Sequence, residues 1–458
     1  MLMLDGRETA VHLTAPTIVG RADRNGWFDL TLLADNGGQV LLHNALRLSA
    51  KFHQPPDRGV TDHIYPNTVV LNAERLRKDG RVGAISFSAA KLGVFFNYKH
   101  IEAQHLFYAD KVDRDGLRRL RRGNRGPHDF FNPSEVYLVH KPVQILRFRV
   151  ADRTYMIGSR TSTKGMGWNS VVLRADPIAS IAFDHPVDLD AAMNRVFEWL
   201  CFFSQIAMEP ILPDALQAAG RSGPRQLDAA IYLPSLDGRP PTPDSPFDLH
   251  PGGSPFSRWS ERKALTTLMR DWLSRQEERN VFRGYLSRVI DQSQTESSID
   301  GIVSLCAAVD SLAELRTPNG VTKAQVSFLA AAAAEEATRQ QIAVDERRLN
   351  GVLGMLQSEP LRARLALLVN AIAHGVSPQD ADLLVSTAIE LRRVGAHGVS
   401  LAEARMPRIL PTLNGLAALC ALYDLMSCGA PPETSAGVRL PAVGRASEMA
   451  MMLRTFSA

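Results

Sequence analysis

The spacing of apolar residues changes once along this chain, and that change restricts the folds open to it. Up to about residue 185, short β-branched or aromatic runs alternate with breakers such as "DNGG", "PPDRG" and "KDG". The runs are "WFDLTLL" (27–33), "NTVVLN" (67–72), "RVGAISFS" (81–88), "LGVFFNY" (92–98), "QHLFYA" (104–109), "VQILRFRV" (143–150), "TYMIGS" (154–159) and "SVVLRA" (170–175). Many short strands at this spacing predict an antiparallel β-sandwich-like fold. A helix, "DLDAAMNRVFEWLCFFSQIAM" (188–208), closes this part, with Asp188 as its N-cap.

Beyond the Pro-, Gly- and Ser-rich stretch 235–256 the apolar period becomes helical. Helices are expected near 258–292, 298–316, 322–350, 360–374, 378–396 and 408–427, an all-α bundle of five or six helices. The reading is therefore α+β in two domains, each with its own core. Residues 1–234 form the β-rich domain, 235–256 a linker, 257–430 the bundle and 431–458 a frayed tail.

Composition narrows function only a little. The net charge of +4 permits nucleic-acid binding without demanding it. Four cysteines (Cys201, Cys306, Cys420, Cys428) lie in apolar stretches with no C-x-x-C, as buried reduced thiols would. The longest alanine-rich run, 327–337, is too short and too soon charged to cross a bilayer, and no signal-peptide pattern opens the chain. No membrane partner and a cytoplasmic location are expected by default. "AGRSGP" (219–224) lacks the lysine and spacing of a P-loop, no acid pair in the β-rich half is set for glycosidase chemistry, and no cofactor is expected. Trp27 and Trp168 could line a groove but read better as packing.

Arginines cluster at 113–126, where Arg118, Arg119, Arg121 and Arg122 could contact RNA phosphates. No aromatic residue interleaves them to stack on bases, so a solvated loop between strands is the simpler reading.

The other notable pattern is Arg392 with His397 in "ELRRVGAHGVS" (390–400). With 43 arginines and 12 histidines, about one such Arg-x4-His pair arises by chance, and Arg7/His12 and Arg58/His63 are two more. Context distinguishes the third. Ser377-Pro378 and Asp380 look like a helix start, and Gly398 suits its end. Asp382, Ser386, Glu390, Arg393 and His397 form a polar stripe, in which Arg393 can pair with Glu390. Arg392 falls instead beside the apolar seam Leu384, Ala388, Leu391, where a guanidinium needs an acid, a phosphate or a partner chain. Asp310, at the edge of the apolar face of 298–315, could supply the acid. A purely structural Arg392–Asp310 pair is an equal alternative. His374, in "LLVNAIAHG", has Val369 where the pair would need arginine and reads as a helix-end histidine.

"LRRVGAHG" (391–398) resembles the R-x4–6-H signature of HEPN domains, often L-R-N-x-x-A-H-G, with Arg393 here in the place of the usual Asn. "IVSLCAAVDSLAEL" resembles the HEPN helix that carries an acid within an apolar run. "RVGAISFSAAKLGVFF" (81–96) and "VFEWLCFFSQIAMEPI" (196–211) are similar to the N-terminal domain of Apea-like proteins. The resemblance implies a metal-independent endoribonuclease of antiphage, abortive-infection type, acting as a homodimer on RNA, with tRNA a candidate. In that scheme His397 moves the proton, Arg392 stabilises the phosphate, Asp310 orients Arg392, and no metal takes part; Arg393 is a further candidate for RNA contact. The β-rich domain would answer an unidentified phage-derived or small-molecule trigger. The competing reading is a non-catalytic HEPN module for dimerisation or RNA binding beside a ligand-sensing β domain.

Overall fold

A computed structural model describes residues 2–5, 8–15, 26–53, 59–89, 91–92, 101–104, 136–139, 144–165, 171–220, 229–236, 262–292, 298–315, 322–354, 360–396, 406–433 and 439–456. The chain is α+β, with a large antiparallel sheet in its N-terminal half and helices dominating the rest.

Thirteen strands are described: β1 (Leu2–Met3), β2 (Ala10–Ala15), β3 (Trp27–Leu33), β4 (Gln39–His53), β5 (Gly59–Leu71), β6 (Val82–Ser88), β7 (Ile101–Gln104), β8 (Val136–Val139), β9 (Gln144–Val150), β10 (Arg153–Gly165), β11 (Val171–Val187), β12 (Ala215–Ala219) and β13 (Ala229–Tyr232). Eleven of them join edge to edge in one sheet, in the order β1-β2-β5-β13-β12-β6-β11-β10-β9, with β4 pairing β3 and β5; β7 and β8 form a separate pair. The expected antiparallel arrangement is present, with these eleven strands bonded in one continuous sheet. The late strands β12 and β13 complete it by inserting between β6 and β5. Val69 and Val70 are both fully buried although they point to opposite faces, because both faces are covered there. Val69 joins a small core with Val11, Phe28, Val40, Leu42, Ala45 and Ile64. Val70 belongs to the main core.

That main core does not stop at the domain boundary the sequence suggested. It runs from the sheet through α1 (Leu189–Ala207) into the helices, as far as Leu453. Asp188 caps α1 as expected, accepting from Ala191 N at 2.7 Å. In α1, Trp199 sits edge-on against Phe87, Phe148 and Tyr155 of the sheet, with ring centroids 5.1–6.1 Å apart. One turn on, the neighbouring Phe202 packs against Trp272 of the bundle at 5.4 Å. α1 thus touches both the sheet and the bundle, and the two halves share a core.

The helices that follow are α2 (Arg262–Ser274), α3 (Gln276–Gln292), α4 (Ile299–Ser311), α5 (Lys323–Arg339), α6 (Glu346–Gly354), α7 (Leu361–Ala371), α8 (Pro378–Ala396), α9 (Met406–Ser427) and α10 (Pro441–Thr455). Among the described residues these nine exceed the expected five or six because 258–292 and 322–350 each break into two and α10 lies in the expected tail. The break in the second falls where Gln341 takes a left-handed φ of 59°. The expected frayed tail holds α10, whose Ala442, Val443, Ala446, Met449, Ala450 and Leu453 are buried. α10 also ties back to α1, with Arg445 Nη1 donating to Met208 O at 3.0 Å. α9 is the one helix among the described residues long and apolar enough to cross a membrane. It is the central helix of the bundle, wrapped by α3, α4, α7, α8 and α10.

Candidate functional site

The site is built where α4, α7 and α8 meet. Ser298 starts α4 by accepting from Gly301 N at 3.2 Å. Ile302, Leu305, Cys306, Ala308 and Val309 are then buried on its apolar face, which leaves Asp310 at the rim near the helix end, 36% exposed. Ser377 starts α8, accepting from Asp380 N at 3.2 Å. The seam Ala381, Leu384, Ala388, Leu391 is buried against the bundle, and Gly395 lets the last turn lie against Ile299. This packing carries Arg392 to Asp310, with Nη2 and Oδ2 3.7 Å apart and Arg392 37% exposed. Arg392 is therefore neither sealed inside the protein nor fully solvated.

Sequence reasoning missed the third member. Arg364, on α7, is buried, and its Nη1 donates to Asp310 O at 2.9 Å and Oδ1 at 3.2 Å. It satisfies a C-terminal carbonyl of α4 while gripping the side chain. The only sequence signal was an arginine on the inward side of "LRARLALL". One turn back from Asp310, burial pushes the Cys306 thiol up to about 12, against the opposing pull of Arg392. It is an unreactive thiol.

Arg393 is exposed. The observed salt bridge at Glu390 runs to Arg408 of α9 at 3.1 Å, in place of the expected Arg393 pair. His374 is exposed in the turn after α7. His397, Gly398 and the arginines Arg118, Arg119, Arg121 and Arg122 lie outside the described residues, as does Trp168. Chemically, the arrangement offers a half-exposed guanidinium steadied by a carboxylate, a donor group suited to an oxyanion.

Two further polar clusters were not foreseen. Asp424 of α9, fully buried, accepts from Arg279 Nη1 at 2.6 Å, Arg283 Nε at 2.8 Å and Nη2 at 3.2 Å, and Trp272 Nε1 at 2.8 Å. Arg283 also stacks over Trp272, 3.6 Å from the ring centroid, and Arg279 reaches Glu314. A lone acid in the apolar run "ALCALYDLM" was the available hint. On the sheet, His43 of β4 sits between Asp29 of β3 and Asp190 of α1, at 3.0 and 2.9 Å. Burial disfavours protonation of His43, but the two carboxylates outweigh it and raise its pKa above the ordinary value. Asn44, in a left-handed conformation with φ 49°, donates to both acids.

No protein-family model, curated protein or solved structure matches the chain.

Proposed function

We propose that this protein is a metal-independent HEPN-type endoribonuclease, with Arg392 and His397 as its reacting pair and Asp310 orienting Arg392. The observation that carries the reading is the half-exposed Arg392, held at 3.7 Å from Asp310 on the last turns of a helix ending at Ala396, the residue before His397 in the sequence. A guanidinium kept at the surface by one carboxylate can turn its remaining donors toward a phosphate. In the proposed reaction the 2′-hydroxyl of RNA attacks the adjacent phosphorus and the P–O5′ bond breaks. The 2′-oxygen loses its proton and the departing 5′-oxygen gains one. His397 handles this proton traffic near its ordinary pKa, and Arg392 stabilises charge on the pentacoordinate phosphorus. The products are a 2′,3′-cyclic phosphate and a 5′-hydroxyl.

In this account the protein works in the cytoplasm as a toxin-like antiphage effector, a homodimer through the helical half, with tRNA a candidate substrate. The sheet half restrains or senses, and the shared core through α1 gives it a mechanical route to the helices. The Asp310 cluster would also serve a non-catalytic bundle, since an acid shared by two arginines stabilises helix packing with or without a substrate. End-group mapping separates the two readings. RNA treated with the purified protein in EDTA acquires cyclic-phosphate 3′ ends and 5′-hydroxyls if the protein cuts, and stays intact but bound, or unbound, if it does not.

A further inference from the structure

Arg364 has no part in the reaction as written, yet it shares the carboxylate that orients Arg392. Its side chain is 8% exposed, whereas Asp310 and Arg392 are more than a third exposed. One oxygen of Asp310, with the backbone carbonyl, takes the buried arginine at 3.2 and 2.9 Å. The other faces Arg392 at the longer 3.7 Å. An isolated Arg–Asp pair would be neutral, and a phosphate would then compete with Asp310 for Arg392. Two guanidiniums on one carboxylate leave a single net positive charge. Because Arg364 is buried and Arg392 is not, that excess is displayed outward through Arg392.

We propose that Arg364 is a positioning residue: by occupying one side of Asp310 it keeps Arg392 held but only loosely paired, and so free to take an RNA phosphate. The catalytic consequence rests on the ribonuclease reading above; the charge sharing does not.

The test uses the full chain as Arg364→Met, Asp310→Asn and the double variant, with Arg364→Lys as the conservative control. In Arg364→Met the whole charge of Asp310 falls on Arg392, and kcat for RNA cleavage drops roughly tenfold with a smaller change in KM. Adding Asp310→Asn removes the competing charge, so the double variant cuts faster than Arg364→Met, yet stays below wild type because Asp310 also orients Arg392; Arg364→Lys stays close to wild type. An Arg364 that only held the fold would give a double variant no better than the worse single one. Side-chain NMR of labelled arginine, with Arg392 assigned through Arg392→Lys, reads the same event without activity. Rotation of the Arg392 guanidinium slows in Arg364→Met and returns in the double variant. Unchanged rotation in Arg364→Met, or no recovery in the double variant, overturns the proposal. Wild type that cuts no RNA while the rotation behaves as stated would remove the ribonuclease reading and leave the charge sharing standing.

Discussion

Replacing Asp424 by Asn tests how the bundle tolerates two fully buried arginines. The carboxylate receives four hydrogen bonds from Arg279, Arg283 and Trp272. Asn keeps one acceptor oxygen and turns an NH2 group toward the remaining donors, which cannot accept from it. If two charge-assisted bonds of about 1.5–3 kcal/mol are lost, the cost is about 3–6 kcal/mol. That agrees with about 3–5 kcal/mol for breaking a buried ion pair by removing one partner. The assay is urea unfolding followed by tryptophan fluorescence, where the midpoint falls and the slope is unchanged if only the native state is affected. Trp272 lies in the network, so its emission reports the site directly. Arg339→Ala, which breaks an exposed pair with Glu336, serves as control and stays within error of wild type. A midpoint for Asp424→Asn matching that control would refute the reasoning, because the buried guanidiniums would then have another means of compensation.

Other consequences follow from packing and charge. Gly415 lets α9 approach α8, since a Cβ there would sit 2.2 Å from Leu384 Cδ2; Gly415→Ala should cost about 1–3 kcal/mol in thermal or urea unfolding, and Leu384→Ala in the same chain should cost less than it does alone. Trp199→Ala removes the ring that joins α1 to the sheet and should cost about 3–5 kcal/mol, seen as a lowered Tm. His43 has a raised folded-state pKa, so its ion pairs add stability that is fully present below the ordinary value near 6.5 and lost as pH rises through the folded value. His43→Gln should therefore destabilise more at about pH 5.5 than at about pH 8.5 in paired urea melts; an equal penalty at both would contradict the assignment.

The sequence was most informative where one physical signal dominated. α8 occupies 378–396 as expected because a cap, a first-turn proline and an unbroken apolar seam agree. β3 likewise matches 27–33. β4 escaped notice although it is 15 residues long. Its alternation is interrupted by left-handed Asn44 and by a register shift between Arg47 and Ser49, although "LRLSAKFH" (46–53) alternates apolar and polar residues and was the available signal. The Arg392–Asp310 contact could be anticipated from helix faces alone. Arg364 could not, because it comes from a third helix whose orientation is set by tertiary packing. The Asp424 network was hidden for the opposite reason: Arg279 and Arg283 sit in a charged stretch that reads as a solvated face, and only the acid on α9 brings them inside. The shared core was also illegible, since a Pro- and Gly-rich segment marks a long connection without saying whether the parts it joins are packed together.

The central claim, that Arg392 and His397 cut RNA, is tested most directly by incubating wild type, Arg392→Ala and His397→Ala with total RNA and purified tRNA in EDTA and identifying the new 3′ ends. The account predicts 2′,3′-cyclic phosphates from wild type alone, with both variants folded and inactive. Equal cleavage by all three proteins would contradict it, because the activity would then belong to another site or another protein.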